Sequence, residues 1–341
     1  MFIAFKIKLC LGYKGTYRMP RVWVIKDKRE GTGNQAISLA DALGYEYEIK
    51  ELDSSPFAKL PNFLLGNSLL SISETSREKF RPPWPEIVIS AGRRAALISR
   101  YIKIKSQGGA FICQIMYPGY TLNKIYDMII LPNHDARQGK NIVNFTGSPN
   151  RITKEILIKA KELWCSKFNS LERPITSLIV GGSNKYMKFG EFEAQDFSKK
   201  IARMQGSLKG SIVFTTSRRT GKIGKTISDQ LKGEGCKPSL EYFWGAGGDN
   251  PYMGILAYSD YLVVSGDSIS MLSEACASPA GVYIYVPPNF NSKKHKRYHE
   301  ELYRLGAAKP LKGVFSDWDP YNFNPTFDMA EEVKKRISFG A

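Results

Sequence analysis

The chain has 341 residues, and at roughly 150 residues per domain this length favours two domains. Hydrophobic residues make up 43% and charged residues 24%, an ordinary globular composition that excludes a disordered, collagen-like or fibrous protein. Lys and Arg number 49 against 32 Asp and Glu, and the net charge of +17 favours anionic partners: phosphorylated small molecules, nucleic acid or an acidic membrane surface. A lysine-rich solvated surface would give the same charge.

Strands and helices alternate in the first half of the chain. Residues 1–19 precede this pattern and are predicted to form a disordered extension, or to lie upstream of a start at Met19. Short apolar runs predict strands that are buried on both faces. A polar, glycine-containing turn over 27–33 leads into a helix predicted to begin near Asn34. The predicted strands are 22–25, 45–52, 87–89, 111–116, 128–131 and 142–145, and the predicted helices are 34–43 and 94–105.

The second half repeats this alternation after a long amphipathic helix over 153–164. Its predicted strands are 175–180, 211–216, 261–265 and 282–286, and its further helices are 189–204, 222–231, 269–277 and 328–337. This pattern predicts an α/β protein with two Rossmann-like, doubly wound parallel-sheet domains. We predict an N-terminal domain over 20–150, a linker helix within 151–172, a C-terminal domain over 173–325 and a C-terminal helix over 326–341. In this architecture ligands bind beyond the carboxyl ends of the strands, here in the cleft between the domains.

Three motifs of the first half follow predicted strands. Glycines at a strand-to-helix turn let helix N–H groups face a phosphate or carboxylate, although they also suit a plain tight turn. A pair of arginines can clamp an anion, or be solvated at a helix start. A His-Asp pair suits a general base, or a turn whose polar side chains satisfy the backbone. The candidate anion-binding residues are Gly31, Thr32, Gly33, Asn34, Gln35, Arg93 and Arg94, and the candidate catalytic residues are His134 and Asp135.

The second half has four more motifs at strand ends or helix starts. In one of them, over 247–252, Asn250 is predicted to be a helix N-cap with Pro251 as the first helical residue. Residues 181–184 resemble a phosphate-cradling turn, and residues 215–219 add hydroxyl groups and two guanidinium groups at the same sheet edge. A diphosphate would rest on the amides of the loop over 266–270. Glu274 would reach ribose hydroxyls, or be an exposed helical acid. The candidate ligand-binding residues are Gly182, Ser183, Ser217, Arg218, Asp249, Asn250, Asp267, Ser268, Ile269, Ser270 and Glu274.

The cysteines, the histidines and the lengths of the apolar runs indicate whether the chain has disulfides, a metal site or a membrane span. The five cysteines are scattered and none is spaced as C-x-x-C, which disfavours a disulfide framework or a structural zinc site and fits a reducing cytoplasm. His295 and His299 have the spacing of helical metal ligands, but the Lys and Arg beside them repel a cation, so we predict a solvated basic helix start and no metal site. No run approaches the ~20 apolar residues that span a bilayer.

Seven strings occur in one order along residues 20–340. They are "GNQA" (33–36), "ISAGRRAA" (89–96), "LPNHD" (131–135), "VGGSNKY" (180–186), "TTSRRT" (215–220), "GDNPY" (248–252) and "GDSISMLSEACA" (266–277). Together they resemble the mitochondrial-fission family named after the elongated mitochondria of its plant mutant, whose bacterial members are often labelled nucleoside-diphosphate-sugar epimerases. That family is itself similar to GT-B glycosyltransferases, such as the lipid-linked N-acetylglucosaminyltransferase of peptidoglycan synthesis.

The resemblance implies a role for each end of the cleft. In those enzymes a glycine-rich turn of the N-terminal domain faces the acceptor, and the C-terminal domain holds the nucleotide-sugar. By this resemblance residues 31–33 fall at the acceptor turn, residues 268–270 at the diphosphate and Glu274 at the ribose. The transferase has a histidine just after its glycine turn, where this chain has Asn34 and Gln35. Because an amide is a poor base, His134 or Asp135 is the predicted base instead.

The leading hypothesis is therefore a GT-B glycosyltransferase-like or nucleoside-diphosphate-sugar-processing protein. It would take a nucleotide-sugar as ligand or substrate and require no other cofactor, with Arg218 and the helix start at Ser270 neutralising the leaving charge. The alternative is a non-catalytic adaptor at a membrane surface, since plant members of the resembled family are implicated in recruiting a dynamin-related protein. An anionic membrane surface or a lipid-linked acceptor is a possible partner. Nucleic-acid binding is disfavoured, because the basic residues are dispersed and not interleaved with aromatics in a recognised motif.

Overall fold

The computed structural model describes residues 19–27, 30–60, 65–66, 68–119 and 123–337. All but the last residue of the predicted extension over 1–19 lies outside the described residues, as does the end of the predicted C-terminal segment beyond residue 337. No helix in the described ranges is both long and apolar enough to cross a membrane.

The N-terminal half forms a parallel six-stranded sheet in the order β2-β1-β3-β4-β5-β6. Alternate residues of its first strand belong to apolar clusters on opposite faces of the sheet, with Trp23 and Ile25 in one cluster and Val22 and Val24 in the other. Burial on both faces explains why the strand is a continuous apolar run. The strands are β1 (Val22–Asp27), β2 (Tyr47–Leu52), β3 (Ile87–Ala91), β4 (Phe111–Ile115), β5 (Met128–Pro132) and β6 (Ile142–Phe145), and the helices are α1 (Glu30–Leu43), α2 (Glu74–Arg77) and α3 (Gly92–Lys105).

The C-terminal half forms a second parallel sheet in the order β12-β11-β10-β7-β8-β9. Its strands are β7 (Ile175–Val180), β8 (Ser211–Thr216), β9 (Leu240–Tyr242), β10 (Tyr261–Ser265), β11 (Gly281–Tyr285) and β12 (Ala308–Pro310). The remaining helices are α4 (Lys154–Phe168), α5 (Glu191–Leu208), α6 (Ile223–Gly233), α7 (Tyr252–Tyr258), α8 (Ile269–Cys276), α9 (Lys293–Arg304) and α10 (Thr326–Arg336). Two Rossmann-like domains are present, as the alternating pattern predicts.

Two helices connect these domains in different ways. The helix predicted within 151–172 is α4, and its residues Leu157 and Trp164 are buried in the core of the C-terminal domain. The chain then crosses back, because Met329, Ala330 and Val333 of α10 are buried in the cluster that covers the N-terminal sheet. The N-terminal domain is therefore completed by a segment that follows the C-terminal domain in sequence.

The start of α1 differs from the prediction. The helix begins at Glu30, four residues before the predicted start near Asn34, so the glycines lie inside its first turn. A Cβ atom at Gly33 would lie 2.6 Å from Lys26 Cγ and 3.2 Å from the Asp27 carbonyl oxygen. This glycine is therefore required because the helix passes close over the end of β1, and the tight turn that the sequence analysis expected is not its reason.

Candidate functional site

The strand order of the C-terminal sheet reverses between β7 and β10, which are neighbours although they are far apart in sequence. Loops that leave the carboxyl ends of two such strands run to opposite sides of the sheet and leave a crevice, the usual ligand position in this architecture. The loops after β7 and β10 are connected directly, because the Gly181 N–H donates to Ser265 Oγ at 2.7 Å. The reversal point faces the N-terminal domain.

The loops after β7 and β8 are fixed to each other by close backbone contact. Gly182 has φ +120°, and a Cβ atom there would lie 2.5 Å from the carbonyl carbon of Arg219. Thr220 Oγ1 donates to the carbonyls of Val180 and Gly181 at 2.7 and 2.8 Å. The Ser217 hydroxyl also donates to the Gly181 carbonyl. These contacts explain why a glycine follows β7 and hydroxyl residues follow β8. Together these residues connect the two loops that form the base of the crevice.

Asp267 lies beneath this crevice with a fully buried side chain. Its Oδ1 accepts from the Ser265 hydroxyl at 2.6 Å, and its Oδ2 forms an ion pair with Arg219 Nη2. Burial raises the pKa of Asp267, and the Ser265 hydrogen bond and the Arg219 charge oppose that rise. The carboxylate therefore fixes a guanidinium group, itself 41% exposed, at the cleft.

The next helix points its N-terminus at the same place. Ser268 is the N-cap of α8, and its Oγ accepts from Met271 N at 3.4 Å. The N–H groups of Ile269 and Ser270 belong to the first turn, where a helix has no internal acceptors. Together with the helix dipole these N–H groups favour an anion beside Arg219.

A cavity of about 400 Å³ lies between the two domains at this point. Its wall on the C-terminal side is polar or charged except for Ile269, whereas much of its N-terminal wall is apolar. The lining residues are Gln35, Ile115, Met116, Tyr117, Ile130, Pro132, His134, Asp135, Gly147, Ser148, Pro149, Arg219, Asp267, Ser268, Ile269, Ser270, Lys294 and Met329. Of the sequence-predicted site residues, the cavity brings together Gln35, His134, Asp135 and residues 267–270.

His134 enters the cavity wall as a buried side chain, only 2% exposed. Its ring lies 5.0 Å from that of Tyr298, and neither ring nitrogen has a hydrogen-bond partner among the described residues. Burial, followed by the charge of Lys294, lowers the pKa of His134 to about 3. The imidazole is therefore neutral near pH 7, with a nitrogen free to accept a hydrogen bond or a proton, although a group with so low a pKa is a weak base.

The carboxylate of Asp135, the other candidate base, forms an ion pair with a lysine. Lys294 Nζ of α9 lies 2.6 Å from Asp135 Oδ1, across the domain boundary. The Asp135 side chain is 15% exposed and the Lys294 side chain 41%, so both reach the cavity from partly hydrated positions. This ion pair joins the predicted catalytic motif to a residue that the sequence analysis did not select.

Glu274 lies one turn beyond the helix start and outside the cavity lining. Its Oε2 accepts from the Tyr252 hydroxyl at 2.6 Å, and burial raises the pKa of Glu274. Asp249 and Asn250 lie in the exposed loop before α7. Pro251 is the N-cap of α7, and Asn250 Oδ1 accepts from Tyr252 N at 3.1 Å. The "GDNPY" and "GDSISMLSEACA" strings thus meet through the Tyr252–Glu274 contact.

Several predicted residues of the N-terminal domain lie away from the cavity. Arg93 donates to the carbonyls of Ala58 and Leu60 at 3.0 and 3.2 Å, and Arg94 forms an ion pair with the buried Asp27 at 3.3 Å. These contacts brace loops within the domain. The other predicted residues that do not line the cavity are Gly31, Thr32, Gly33 and Asn34 in the N-terminal domain and Gly182, Ser183, Ser217, Arg218, Asp249 and Asn250 in the C-terminal domain.

The cavity also contains residues that the sequence analysis did not choose. Arg219, and not the exposed Arg218, lines it. The motif over 215–219 named both arginines, and sequence alone does not tell which of two adjacent side chains points inward. Lys294 was assigned to a solvated basic helix start, whereas its side chain reaches the cleft. Its position within a Lys- and Arg-rich segment hid the signal.

The two other histidines serve structural hydrogen bonds. His295 Nδ1 lies 2.7 Å from Ser292 Oγ, and His299 Nε2 lies 2.9 Å from the Gly266 carbonyl oxygen. Burial lowers the pKa of each to about 4. These contacts connect α9 to its own N-cap and to the loop after β10. Within the described residues, no group of three or more His, Cys, Asp or Glu side chains could hold a metal ion.

Solved structures with this arrangement include the UDP-GlcNAc 2-epimerase of Methanocaldococcus jannaschii, which is 12% identical with a TM-score of 0.58, and the alignment covers 94% of this chain and 100% of the epimerase. The same enzyme in complex with UDP-GlcNAc and UDP gives a TM-score of 0.52 at 12% identity and the same coverage. This likeness concerns the fold: two Rossmann-like domains flanking a cleft, the GT-B arrangement. The predicted fold is confirmed.

Two relatives match along most of the sequence. An uncharacterized protein of Rickettsia prowazekii (strain Madrid E) is 32% identical over 353 residues, covering 93% of this chain and 98% of that protein. The mitochondrial fission protein ELM1 of Arabidopsis thaliana is 27% identical over 296 residues, covering 80% of this chain and 68% of the plant protein. The family model for mitochondrial fission ELM1 matches residues 30–337. The resemblance drawn from the seven strings is confirmed, and the chain belongs to the mitochondrial fission ELM1 family.

Proposed function

We propose that the interdomain cavity binds a nucleoside-diphosphate sugar and that the protein is a glycosyltransferase-like or nucleotide-sugar-processing enzyme. The observation that carries this proposal is the cation at the reversal point of the C-terminal sheet. Arg219, held by the buried Asp267, lies beside the N-terminus of α8 in one cavity of about 400 Å³. A fixed guanidinium group and free helix N–H groups together suit a diphosphate.

The fold comparison supports the same ligand class. The epimerase with the similar fold has been crystallised with UDP-GlcNAc and UDP, and its two domains correspond to those of this chain over most of their length. We assign the diphosphate to Arg219 and residues 268–270 in the cavity, and the ribose to Glu274, which lies outside the cavity lining one turn further along α8. The contact of Glu274 with Tyr252 holds its carboxylate in one orientation, which is what a bidentate hydrogen bond to a sugar diol requires.

The proposed reaction is transfer of the sugar to an acceptor hydroxyl. The acceptor oxygen forms a bond to the anomeric carbon while the bond from that carbon to the diphosphate oxygen breaks, and its electron pair leaves with the nucleoside diphosphate. Asp135 or His134 takes the hydroxyl proton, and Arg219 with the amides of α8 stabilises the charge that develops on the leaving group. Of the two bases we favour Asp135, because its side chain is 15% exposed at the cavity, whereas His134 is only 2% exposed.

The acceptor side of the cavity supports an apolar or lipid-linked acceptor. Ile115, Ile130 and Met329 line it from the N-terminal domain. The net charge of +17 would favour approach to an anionic membrane surface. We place the protein in a reducing cytoplasm, and the free thiols of Cys113, Cys165, Cys236 and Cys276 support this placement.

A second candidate function is a non-catalytic adaptor at a membrane. The observation in its favour is the name of the plant relative, a mitochondrial fission protein, together with its 27% identity to this chain. An adaptor can retain a nucleotide site, so binding alone does not separate the candidates. Release of nucleoside diphosphate from a nucleotide-sugar, measured over time with purified protein, separates them.

The test of the site is a thermal-shift panel of nucleoside diphosphates and their sugars. A ligand at 100 times its Kd adds about 2.7 kcal/mol to the free energy of unfolding, which raises the melting temperature by several degrees. We expect Glu274→Ala to abolish this shift and Glu274→Gln, which can still accept from Tyr252, to reduce it. Asp229→Asn, on the exposed face of α6, is the control and should behave as the unchanged chain. A folded protein that responds to no nucleotide would remove the proposed site.

A further inference from the structure

The cleft contains two cations, each paired with a carboxylate but held in different ways. The partner of Arg219 is Asp267, whose side chain is fully buried and also accepts from Ser265. The partner of Lys294 is Asp135. The Lys294 side chain is 41% exposed and the Asp135 side chain is 15% exposed. Both cations line the same cavity as the N-terminus of α8.

Arg219 is fixed by this burial. Moving it away would leave the Asp267 carboxylate charged and unpaired inside the protein, which is costly. The guanidinium group has five N–H donors, and its contact with Asp267 is made by Nη2, so it can bind a ligand without leaving its partner. Arg219 therefore needs no rearrangement when an anion enters.

Lys294 is free to exchange its partner. Its ammonium is a point charge on a flexible stem, and the Asp135 carboxylate can be rehydrated from the cleft when the ion pair opens. The backbone of its helix is nevertheless fixed at the diphosphate site, because His299 in the same helix contacts the Gly266 carbonyl at 2.9 Å. The side chain can thus swing between the two domains while its origin stays in place.

We propose that Lys294 is an exchangeable ligand-binding cation: the phosphate groups of a bound nucleotide take it from Asp135, and this exchange frees the Asp135 carboxylate as the base. The inference rests on the proposed function and adds a residue and an order of events to it. In the empty cleft Asp135 is occupied by Lys294. Donor binding and base activation are then one event, so the carboxylate becomes available only when the leaving group is in place.

The exchange predicts opposite effects of two substitutions on the affinity for UDP, measured by isothermal titration of the full chain. Asp135→Asn removes the competitor for Lys294 and should tighten UDP binding several-fold, whereas Lys294→Gln should weaken it about tenfold, since a charge-assisted hydrogen bond is lost. In the double variant the gain from Asp135→Asn should disappear, because there is no ammonium left to release.

Two controls test whether the change in affinity depends on the phosphate groups of UDP and on the position of Lys294. Uridine has no phosphate, so its affinity should not change in Asp135→Asn. Lys296→Gln removes an equal charge from an exposed position of the same helix and should leave UDP affinity within about twofold. Circular dichroism and melting temperatures of each variant establish that it is folded.

The outcomes separate this inference from the proposed function. If the unchanged chain binds UDP but Asp135→Asn weakens binding or leaves it unchanged, the exchange is overturned and the site stands. Additive effects in the double variant overturn it equally. If the unchanged chain binds neither UDP nor any other nucleoside diphosphate of the thermal-shift panel, the proposed function and the exchange fall together.

Discussion

A buried carboxylate holds the cation that faces the cleft. Asp267 is fully enclosed, accepts from Ser265 at 2.6 Å and pairs with Arg219. Because Ser265 also accepts from the Gly181 N–H at 2.7 Å, the same carboxylate connects the loops that follow β7, β8 and β10. Asp267 therefore holds these three loops together and sets the position of the Arg219 charge.

Asp267→Asn should destabilise the protein by about 1–3 kcal/mol, because both carboxylate oxygens accept hydrogen bonds, from Ser265 and Arg219, and an amide has only one acceptor oxygen, so its NH2 group must face a donor inside the protein. Chemical denaturation at neutral pH measures this change. Asp229→Asn makes the same substitution on the exposed face of α6 and should change the free energy of unfolding by less than about 0.5 kcal/mol. Equal stability of the two variants would contradict the role given to the buried pair.

Sequence reasoning selected Gln35, His134, Asp135 and residues 267–270 of the cavity lining but did not select Arg219 or Lys294. The run over 215–219 indicated guanidinium groups at a sheet edge, yet Arg218 and Arg219 differ only in the direction that the chain takes after β8. The contact between Lys294 and Asp135 joins positions far apart in sequence, and nothing local to either residue specifies it. The pattern of apolar residues in the sequence indicates which strands are buried. An ion pair between two domains depends instead on how the folded domains pack against each other.

Helix α9 belongs to the C-terminal domain and contacts the N-terminal domain along one side. Arg297 donates to the His134 carbonyl at 2.6 and 3.0 Å. Glu301 Oε1 accepts from Asn133 Nδ2 at 2.5 Å and from Thr146 Oγ1 at 2.7 Å. The helix therefore fixes the loop that contains the predicted base relative to the diphosphate loop.

Glu301→Ala should loosen the contact between the domains, since it removes the acceptor for both Asn133 and Thr146. We expect faster amide hydrogen exchange in β6 and in residues 146–148, corresponding to a loss of about 1–2 kcal/mol of local stability. Glu300→Ala, at the neighbouring exposed position, is the matched control. Identical exchange in the two variants would show that Glu301 does not hold this boundary.

Helix limits illustrate what local patterns cannot supply. The sequence predicted helix α1 but placed its start near Asn34, because the glycines were interpreted as a turn. Gly33 is tolerated inside the helix since the end of β1 lies against it, a tertiary contact that outweighs helix propensity. Similarly, Asn250 was predicted as the N-cap of α7, and Pro251 occupies that position. The side chain of Asn250 still accepts from the first helical N–H, so the chemistry was right and the register was shifted by one.

The two domains meet where all three histidines of the chain are found. His134 comes from the N-terminal domain, and His295 and His299 lie on α9. Burial lowers the pKa of His134 to about 3 and those of the other two to about 4. Protonation of any of these histidines therefore opposes this packing, so the free energy of unfolding of the whole protein depends on pH.

Stability should fall as the pH drops from about 6.5 to 4. In this window the unfolded chain, with an ordinary histidine pKa near 6.5, binds more protons than the folded chain, so the free energy of unfolding decreases toward acid. Each unit of pKa difference is worth about 1.4 kcal/mol per group, and the contributions of the three histidines have the same sign. Denaturant unfolding at a series of pH values measures this decrease.

His295→Gln is the informative variant for this dependence. It removes one of the three contributions and should make the curve of stability against pH shallower. The raised pKa values of Asp267 and Glu274 act in the opposite sense, because their folded forms bind protons more readily. The difference between the variant and the unchanged chain therefore isolates the histidine. Parallel curves for the two proteins would contradict the assignment.

The return of α10 to the N-terminal domain has a consequence for synthesis of the protein. Met329, Ala330 and Val333 cover the same apolar surface as Val22 and Val24, although about three hundred positions separate them along the chain. Six strands and α1 emerge from the ribosome before α10, and the part of this apolar cluster that α10 covers stays exposed while the entire second domain is translated. A nascent chain of this protein should therefore remain a client for chaperones until α10 has emerged, and shortening it before Met329 should turn a folded product into an aggregating one.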